Sequence, residues 1–289
     1  NFAYDAMYGA GQNVMRRLFS DMTFLHCDEN PSFMGQAPEP IDKNLTEFSK
    51  LIKDKGNIAA GLATDGDADR IGLYNSKGEF VDSHHIILLL LLYLNKTKKL
   101  KGKVVVAAST TPRVARLAEI LELPHDTVKV GFKYIAQQMI KEDVLIGGEE
   151  SGGIAIKGHI PERDGIWMGL VLFEYMAKSG KSLQDLIEEV YGLVGEFKYW
   201  RDDLHIEEKL KNNIVKKCNK DEYQSFGKYT VQSIDKTDGF KFILSDDEWL
   251  MIRPSGTEPV LRCYAESKDL KGAKDILFAC KKEIGFKEA

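Results

Sequence analysis

The sequence has few cysteines, and their spacing excludes the commonest cysteine chemistries. Its four cysteines are scattered along 289 residues without a CxxC pair or an accompanying histidine cluster: Cys27, Cys218, Cys263 and Cys280. A disulfide-stabilised secreted domain or a zinc ribbon would need closer, repeated spacings. We therefore expect a reduced, cytoplasmic protein.

Long apolar runs and an excess of one charge are also missing. The longest apolar run, from Ile86 to Leu94, is about half the length that spans a bilayer, so we predict a buried helix there. The formal net charge is -4, and no basic patch that would suit a nucleic acid stands out. We expect no membrane partner and no nucleic-acid partner.

What the sequence does contain is an alternation of short β-rich runs and amphipathic helical runs. A basic stretch at residues 95–103 separates two such regions, and after about Gly195 strand-like runs follow one another between two helices. Successive strands are typical of a small α+β domain. We predict an α/β protein with two mixed α/β-sheet domains, at residues 1–96 and 97–196. A smaller α+β C-terminal domain with an antiparallel sheet follows at residues 197–289.

The first region predicts a βαβ arrangement. Asp42 is a candidate N-cap for an amphipathic helix that includes Leu45, and Gly56 is placed to end that helix. A buried strand is predicted at residues 58–63. This order favours a parallel sheet, in which ligands bind at the carboxyl ends of the strands.

A polar loop of sequence TDGDADR, residues 64–70, comes directly after that strand. Its carboxylates occupy alternate positions: Asp65, Asp67 and Asp69. With Gly66 letting the loop fold back, they can converge on one hard cation, which suits Mg²⁺. A solvated acidic turn is the alternative. A calcium loop is disfavoured because Ser76, and not a glutamate, stands at the twelfth position.

Two further loops carry candidate binding groups. GGEESGG, residues 147–153, offers Glu149 and Ser151 to sugar hydroxyls, on a glycine-rich backbone that could approach a ligand closely. RPSGTEP, residues 253–259, combines donors suited to a phosphate. These donors are the Arg253 guanidinium, the hydroxyls of Ser255 and Thr257, and the backbone at Gly256. A flexible turn and a plain β-turn are the respective alternatives.

Two isolated basic residues are weighed beside these loops. Lys133 starts a helix after Gly131, where it could reach a substrate, although a solvated helix lysine is the commoner outcome. His159 lies near the glycine-rich loop, and a histidine can transfer protons near neutral pH. A structural role is the alternative for both.

In combination, these strings resemble the α-D-phosphohexomutase family of phosphoglucomutases and phosphomannomutases. DGDADR is similar to the family's metal loop, GGEESGG to its sugar-selecting loop and RPSGTEP to its phosphate-binding loop, and VGFKYI and HIPERDG fit as well. Residues 5–11 are similar to the start of the family's second domain. The resemblance implies that 1–96, 97–196 and 197–289 are the family's domains 2, 3 and 4, the last being a phosphate-binding lid.

The resemblance also implies a role for each candidate residue. The implied Mg²⁺ ligands are Asp65, Asp67 and Asp69. Arg70 would contact the transferring phosphoryl group, while Glu149 and Ser151 would read the hydroxyls of the hexose. The groups gripping the second phosphate would be Arg253, Ser255, Gly256 and Thr257. Lys133 and His159 would line the cleft as proton-transfer or phosphate-contacting groups. Several bacterial members have histidine where this chain has Gly153.

The implied activity interconverts hexose 1-phosphate and hexose 6-phosphate through a phosphoserine and a hexose 1,6-bisphosphate. The family's serine lies in a T-A-S-H-N-P-type loop of its first domain, and no such string exists here; Ser109 lacks the histidine and asparagine. The opening at Asn1, without an initiator methionine, is typical of a cut chain. We expect a fragment that needs the missing N-terminal domain of the same phosphoprotein and is inactive alone.

Two further expectations concern specificity and class. Glu150 favours glucose or mannose phosphate, because members of the family acting on glucosamine phosphate tend to carry glutamine there. The alternative from another class is a non-catalytic sugar-phosphate or metal-binding module.

Overall fold

The computed structural model describes residues 1–255 and 259–286. The chain forms two compact units, Asn1–Val194 and Gly195–Ala289, and each is described by itself. The three-domain division near residues 96 and 196 stays a prediction. The cysteines are free and buried.

The first sheet of the N-terminal unit surrounds the strand that precedes the acidic loop. Its elements are β1 (Phe2–Asp5), α1 (Gly11–Leu18), β2 (Thr23–Leu25), α2 (Thr46–Lys55), β3 (Ala60–Thr64), β4 (Ile71–Asn75) and β5 (Phe80–Val81). The strand order is β2-β1-β3-β4-β5. All five residues of β3 are buried because small and apolar side chains let helices pack on it.

A buried helix follows this sheet, as the apolar run predicts. Helix α3 (Ser83–Leu92) has all ten residues buried, and the carboxylate of Asp82 caps it by accepting from the His85 amide at 3.1 Å. A short π-helical turn at Tyr93–Thr97 continues it. Within the described residues, no helix is both long enough and apolar enough to cross a bilayer.

The second sheet of the N-terminal unit repeats the same plan. Its elements are β6 (Lys103–Ala107), α4 (Arg113–Ile120), β7 (His125–Val128), α5 (Phe132–Lys141), β8 (Val144–Gly148), β9 (Ile154–Ile156), α6 (Gly165–Ser179) and α7 (Leu183–Val194). The order is β7-β6-β8-β9, in which only β9 runs antiparallel to its neighbour.

The C-terminal unit has the predicted antiparallel sheet. Its elements are β10 (Lys198–His205), α8 (Glu208–Asn219), β11 (Ser225–Phe226), β12 (Tyr229–Thr230), β13 (Ser233–Asp235), β14 (Phe240–Ser245), β15 (Glu248–Pro254), β16 (Val260–Ser267) and α9 (Leu270–Glu283). The main sheet has the order β10-β16-β15-β14-β13. One core cluster joins Ile214 of α8 and Ile276 of α9 to Leu250 and Cys263 of the sheet. The predicted fold class is confirmed.

Two local predictions are corrected. Asp42 does not cap α2, which begins after Leu45 without a side-chain cap; the Asp42 carboxylate instead accepts from the Tyr74 hydroxyl at 2.9 Å. The parallel sheet is only partly right, because β4 pairs antiparallel with β3. A short loop can return a strand only in the antiparallel sense, so the acidic loop itself dictates this pairing. Gly56 does end α2, with φ 66°.

Asp269 provides a test of the C-terminal unit. Its carboxylate caps α9 by accepting from the Gly272 amide at 2.7 Å. We expect Asp269→Ala to lower the free energy of unfolding by about 1 kcal/mol, because that amide loses its side-chain acceptor. Asp275→Ala, at an exposed position of the same helix, is the control and should change it by less than about 0.5 kcal/mol. Urea denaturation measures both, and equal effects would contradict the cap.

Candidate functional site

The acidic loop connects β3 to β4 and brings its three carboxylates together. Oxygen atoms of Asp65, Asp67 and Asp69 all lie within 4.8 Å of one another. Asp65 is buried, Asp67 is exposed and Asp69 is partly buried. The three acidic side chains of the loop therefore differ in solvent exposure, from buried Asp65 to exposed Asp67.

The backbone of this loop turns back through Ala68 and not through Gly66. Ala68 has φ 64°, and its amide donates to the carbonyl of Asp65 at 3.1 Å. Gly66 serves a different purpose, since a Cβ there would lie 3.0 Å from Cγ of Pro38. The predicted folding back is present, but the glycine allows close packing of a neighbouring segment while an alanine adopts the left-handed conformation.

The residues present fit a divalent cation. Oδ1 of Asp69 is buried without a hydrogen-bond partner among the described residues, although it lies 3.9 Å from Nε of Arg70. Burial raises the pKa of Asp69 to about 6; the charges of Asp65 and Asp67 add to the rise, and Arg163 opposes it. Crowded carboxylate oxygens of this kind are the donor set that Mg²⁺ prefers.

Arg70 is held firmly at the end of the acidic loop. Its Nε donates to Oδ2 of Asp65 at 2.5 Å and its backbone amide donates to Oδ1 at 3.0 Å. Its Nη1 lies 3.5 Å from Oε1 of Glu39. Glu39 was not identified from the sequence as a partner of the site, because 31 positions separate it from Arg70.

The sugar loop between β8 and β9 is joined to the acidic loop by backbone. The Ile71 amide donates to the carbonyl of Gly152 at 3.1 Å, and Arg70 forms an antiparallel bridge with Gly153. Gly152 has φ 93°, and a Cβ there would lie 2.5 Å from the carbonyl oxygen of Ile71. The two loops predicted separately are therefore parts of one structure.

The glycines of the sugar loop allow other parts of the protein to pack closely against it. A Cβ at Gly147 would meet Ile135 at 2.2 Å, and one at Gly148 would meet Ile87 at 2.6 Å. At Gly153 it would meet Cδ of Arg163 at 2.4 Å. These glycines therefore allow neighbouring side chains to pack closely, and the close approach of a ligand stays a prediction.

The two side chains predicted to read sugar hydroxyls differ in their surroundings. Glu149 is 5% exposed, and its Oε1 accepts from the Gly131 amide at 2.7 Å. Ser151 is half-buried in the turn that follows. Between them, Oε2 of Glu150 accepts from the Ser109 hydroxyl at 2.5 Å. Glu149 is thereby fixed beside the start of α5.

Lys133 and His159 are both in the N-terminal unit, in unequal positions. Lys133 is exposed in the first turn of α5, with Nζ 5.0 Å from the ring centroid of Tyr134. His159 is held: Nε2 lies 2.8 Å from Oδ2 of Asp164, and its ring stacks on Trp167 at 4.9 Å. Lys133 is the more accessible of the two.

Arg163 is a site residue that sequence reasoning missed. Its Nη2 lies 2.7 Å from Oδ2 of Asp69, and its guanidinium carbon lies 5.5 Å from the ring centroid of Phe132. The only sequence signal was its position in HIPERDG, before the Asp164 cap of α6. Helix α6 begins against the acidic loop, since the Gly165 amide donates to the carbonyl of Ala68 at 3.0 Å.

The predicted phosphate loop follows β15 in the C-terminal unit. Arg253 Nε donates to Oδ2 of Asp238 at 3.1 Å, beside a cavity of about 260 Å³ that Lys236 also lines. The Ser255 amide donates to the Val260 carbonyl at 2.9 Å, and Nζ of Lys211 donates to the Ser255 carbonyl at 3.4 Å. Gly256 and Thr257 lie outside the described residues.

Family comparisons cover most of the chain. Residues 1–78 match phosphoglucomutase/phosphomannomutase, alpha/beta/alpha domain II, and residues 82–193 match domain III of that family. Residues 206–278 match its C-terminal domain.

Individual relatives agree with these matches. The chain is 29% identical to a phosphoglucomutase/phosphomannomutase of Thermococcus kodakarensis, over 98% of the chain and 59% of the relative. It is 30% identical to a phosphoglucosamine mutase of Methanocaldococcus jannaschii, over 85% of the chain and 53% of the relative. The chain therefore spans little more than half the length of these relatives.

Solved structures give the same result. A Thermus thermophilus protein described as a phosphomannomutase matches 98% of this chain and 60% of its own, with a TM-score of 0.82 and 31% identity. An Aspergillus fumigatus N-acetylphosphoglucosamine mutase, solved with GlcNAc-6P and magnesium, matches 99% of this chain and 66% of its own. Its TM-score is 0.64 and its identity 17%, a likeness of fold alone. The chain belongs to the phosphoglucomutase/phosphomannomutase family.

Proposed function

We propose that this chain carries the metal, sugar and phosphate-binding loops of a mutase that interconverts hexose 1-phosphate and hexose 6-phosphate. The observation that carries the proposal is the convergence of three carboxylates, Arg70 and the sugar loop. Asp65, Asp67 and Asp69 lie within 4.8 Å of one another, and Arg70 bridges to Gly153. Phosphoryl transfer depends on positioning and charge neutralisation, which is what these groups can supply.

Asp65, Asp67 and Asp69 are the proposed Mg²⁺ ligands. When bound, the cation would neutralise charge on the transferring phosphoryl group. Arg70 would add a second positive charge beside it, and the hydrogen bonds from Arg70 to Asp65 hold that guanidinium in place before substrate arrives. Preorganised charge costs little rearrangement during the reaction.

Glu149 is proposed to accept hydrogen bonds from the hexose hydroxyls, and the Ser151 hydroxyl is proposed to donate to them or accept from them. Glu149 suits this role because the Gly131 amide fixes one of its oxygens. Lys133, exposed in the first turn of α5 just after Gly131, is proposed to contact phosphate or transfer a proton. His159 is proposed for the same role, although its pairing with Asp164 favours positioning over direct contact.

The second phosphate is proposed to bind at the C-terminal unit. Arg253 and Ser255 are the described members of this clamp, with Gly256 and Thr257 completing it from outside the described residues. Arg253 is supported by Asp238 at 3.1 Å, which orients its guanidinium. A planar fork of donors suits a dianionic phosphate. Residues 197–289 would then form a third domain that acts as the phosphate-binding lid, after domains at 1–96 and 97–196.

The proposed substrates are glucose or mannose phosphates, with the hexose 1,6-bisphosphate as intermediate. Glu150 supports this choice, and its contact with Ser109 shows that its carboxylate is engaged within the protein. Relatives named for glucosamine phosphate are as similar as those named for glucose and mannose phosphates. A coupled assay with all three 1-phosphates separates these possibilities.

The phosphoryl carrier is proposed to be a serine outside these 289 residues. The support is the lack of a serine-histidine-asparagine-proline loop in the sequence, together with the 59% of the Thermococcus kodakarensis relative that the chain covers. The phosphorylated, cytoplasmic state of the whole protein stays a prediction.

The first test is the activity of the chain by itself. We expect the 289-residue protein to show no mutase turnover with Mg²⁺ and a hexose 1,6-bisphosphate, because no residue in it carries the phosphoryl group. A coupled assay with glucose 1-phosphate measures this, with a mock purification as the contamination control. Turnover above that control would contradict the proposed carrier.

The second test concerns Asp67 in a longer protein that includes the serine domain. We expect Asp67→Asn to lower kcat by about a hundredfold or more while KM changes by less than about threefold, because the metal is needed mainly as charge develops. Asp54→Asn, the same chemical change at an exposed position of α2 in the same unit, is the control and should leave kcat within about twofold. An unchanged kcat at saturating Mg²⁺ would remove Asp67 from the ligands.

The third test concerns Arg253. In the longer protein that includes the serine domain, we expect Arg253→Ala to raise KM by about tenfold or more with a smaller loss of kcat, because a phosphate contact present in both ground and transition states is lost. In the 289-residue chain, the amides of Ser255, Gly256 and Thr257 should shift on titration with glucose 6-phosphate. Lys228→Ala is the control. If those amides stay still while others move, the clamp is misassigned.

A further inference from the structure

Arg163 occupies a position that the proposed roles leave unexplained. It lies between β9 and α6, with Nη2 2.7 Å from Oδ2 of Asp69 and its aliphatic stem over Gly153. Its side chain is 30% exposed and that of Asp69 is 17% exposed. One arginine therefore contacts both a proposed metal ligand and the sugar loop.

The charges around the three carboxylates are divided between two arginines. Arg70 is bound to Asp65 through Nε at 2.5 Å, whereas its Nε lies 3.9 Å from Asp69. Asp69 instead pairs closely with Arg163. The positive charge nearest to Asp69 thus comes from outside the acidic loop.

A divalent cation held by Asp69 would have this guanidinium as a near neighbour. The two positive groups would share one carboxylate, and their repulsion is substantial even at a solvent-like dielectric. Arg163 has further partners, because its Nε donates to Oε1 of Glu162 at 3.4 Å and its guanidinium carbon lies 5.5 Å from the ring centroid of Phe132. A cation–π contact there can retain the arginine when its contact with Asp69 weakens.

We propose that Arg163 is a positioning residue that acts as a built-in counter-ion of Asp69 and competes with the divalent cation for that carboxylate. This inference rests on the metal site of the proposed function. Cation binding weakens the contact between Arg163 and Asp69 and leaves the guanidinium on the Phe132 side. Because the stem of Arg163 packs against Gly153, a change in the contact between Arg163 and Asp69 would also alter the packing of the sugar loop.

The same geometry explains the glycine at position 153. A Cβ there would lie 2.4 Å from Cδ of Arg163 and 3.5 Å from Oε2 of Glu149. Any side chain at this position would displace the arginine stem from its place between the two loops. The position of the Arg163 side chain therefore requires a glycine at 153.

The test is the affinity of the 289-residue chain for Mn²⁺, measured by calorimetry at low ionic strength. We expect Arg163→Gln and Arg163→Met to bind Mn²⁺ about tenfold more tightly than the unaltered chain, because the competing charge is gone. Arg163→Met retains the apolar stem and guards against a packing defect. At 1 M salt, where the screening length is about 3 Å, the difference should shrink to less than about threefold.

Two controls make the result specific. Arg163→Lys keeps the charge and should stay within about threefold of the unaltered affinity, since the Coulomb term is retained. Lys157→Gln removes a charge that is paired with Asp143 elsewhere in the unit, and should change nothing. Equal Mn²⁺ affinity in all variants, or weaker binding without the arginine, would overturn the role of Arg163 alone. If neither the unaltered chain nor Arg163→Gln binds Mn²⁺, the metal site and this inference both fail.

Discussion

The crowding of three carboxylates is the constraint on which the rest of the site depends. Two unit charges about 5 Å apart repel by roughly 3 kcal/mol at an effective dielectric of 20, so a cluster of this kind needs compensation. The structure supplies it through Arg70 on Asp65 and Arg163 on Asp69. Asp67 faces solvent, where the proposed cation could reach it. Each arginine is held by its aspartate, and both arginines also contact Gly153 of the sugar loop.

Backbone contacts then turn two loops into one site. The bridge between Arg70 and Gly153 and the hydrogen bond from Ile71 to Gly152 join the first sheet to the second. A movement of either loop must disturb the other, because these contacts involve main chain that cannot adjust by side-chain rotation. The start of α6 adds a third anchor through Gly165 and Ala68. The proposed metal and sugar functions are consequently coupled within a single compact unit.

Much of the fold follows from local patterns along the chain. The buried helix at Ser83–Leu92 was predicted from an unbroken apolar run, and the helix predicted after Gly131 is α5, which begins at Phe132. The antiparallel sheet of the C-terminal unit follows from successive strand-like runs. Asp42 was misassigned as a helix cap. An aspartate before a helix has the same local sequence whether it caps that helix or accepts a hydrogen bond from a distant residue such as Tyr74. The antiparallel pairing of β4 was missed because a parallel sheet was inferred from the βαβ order of the preceding elements, whereas no helix separates β3 from β4.

The chemical types at the site follow from the sequence alone: carboxylates at alternate positions, a glycine-rich loop and an arginine between two strands. These signals are local, since each depends on residues within seven positions of one another. Which charges neutralise one another depends on contacts between residues far apart in sequence. Arg163 reaches Asp69 across more than ninety positions of sequence, and Glu39 reaches Arg70 across 31. Such pairs form when loops that are distant in sequence meet in the folded chain, and no pattern within a single segment encodes that meeting.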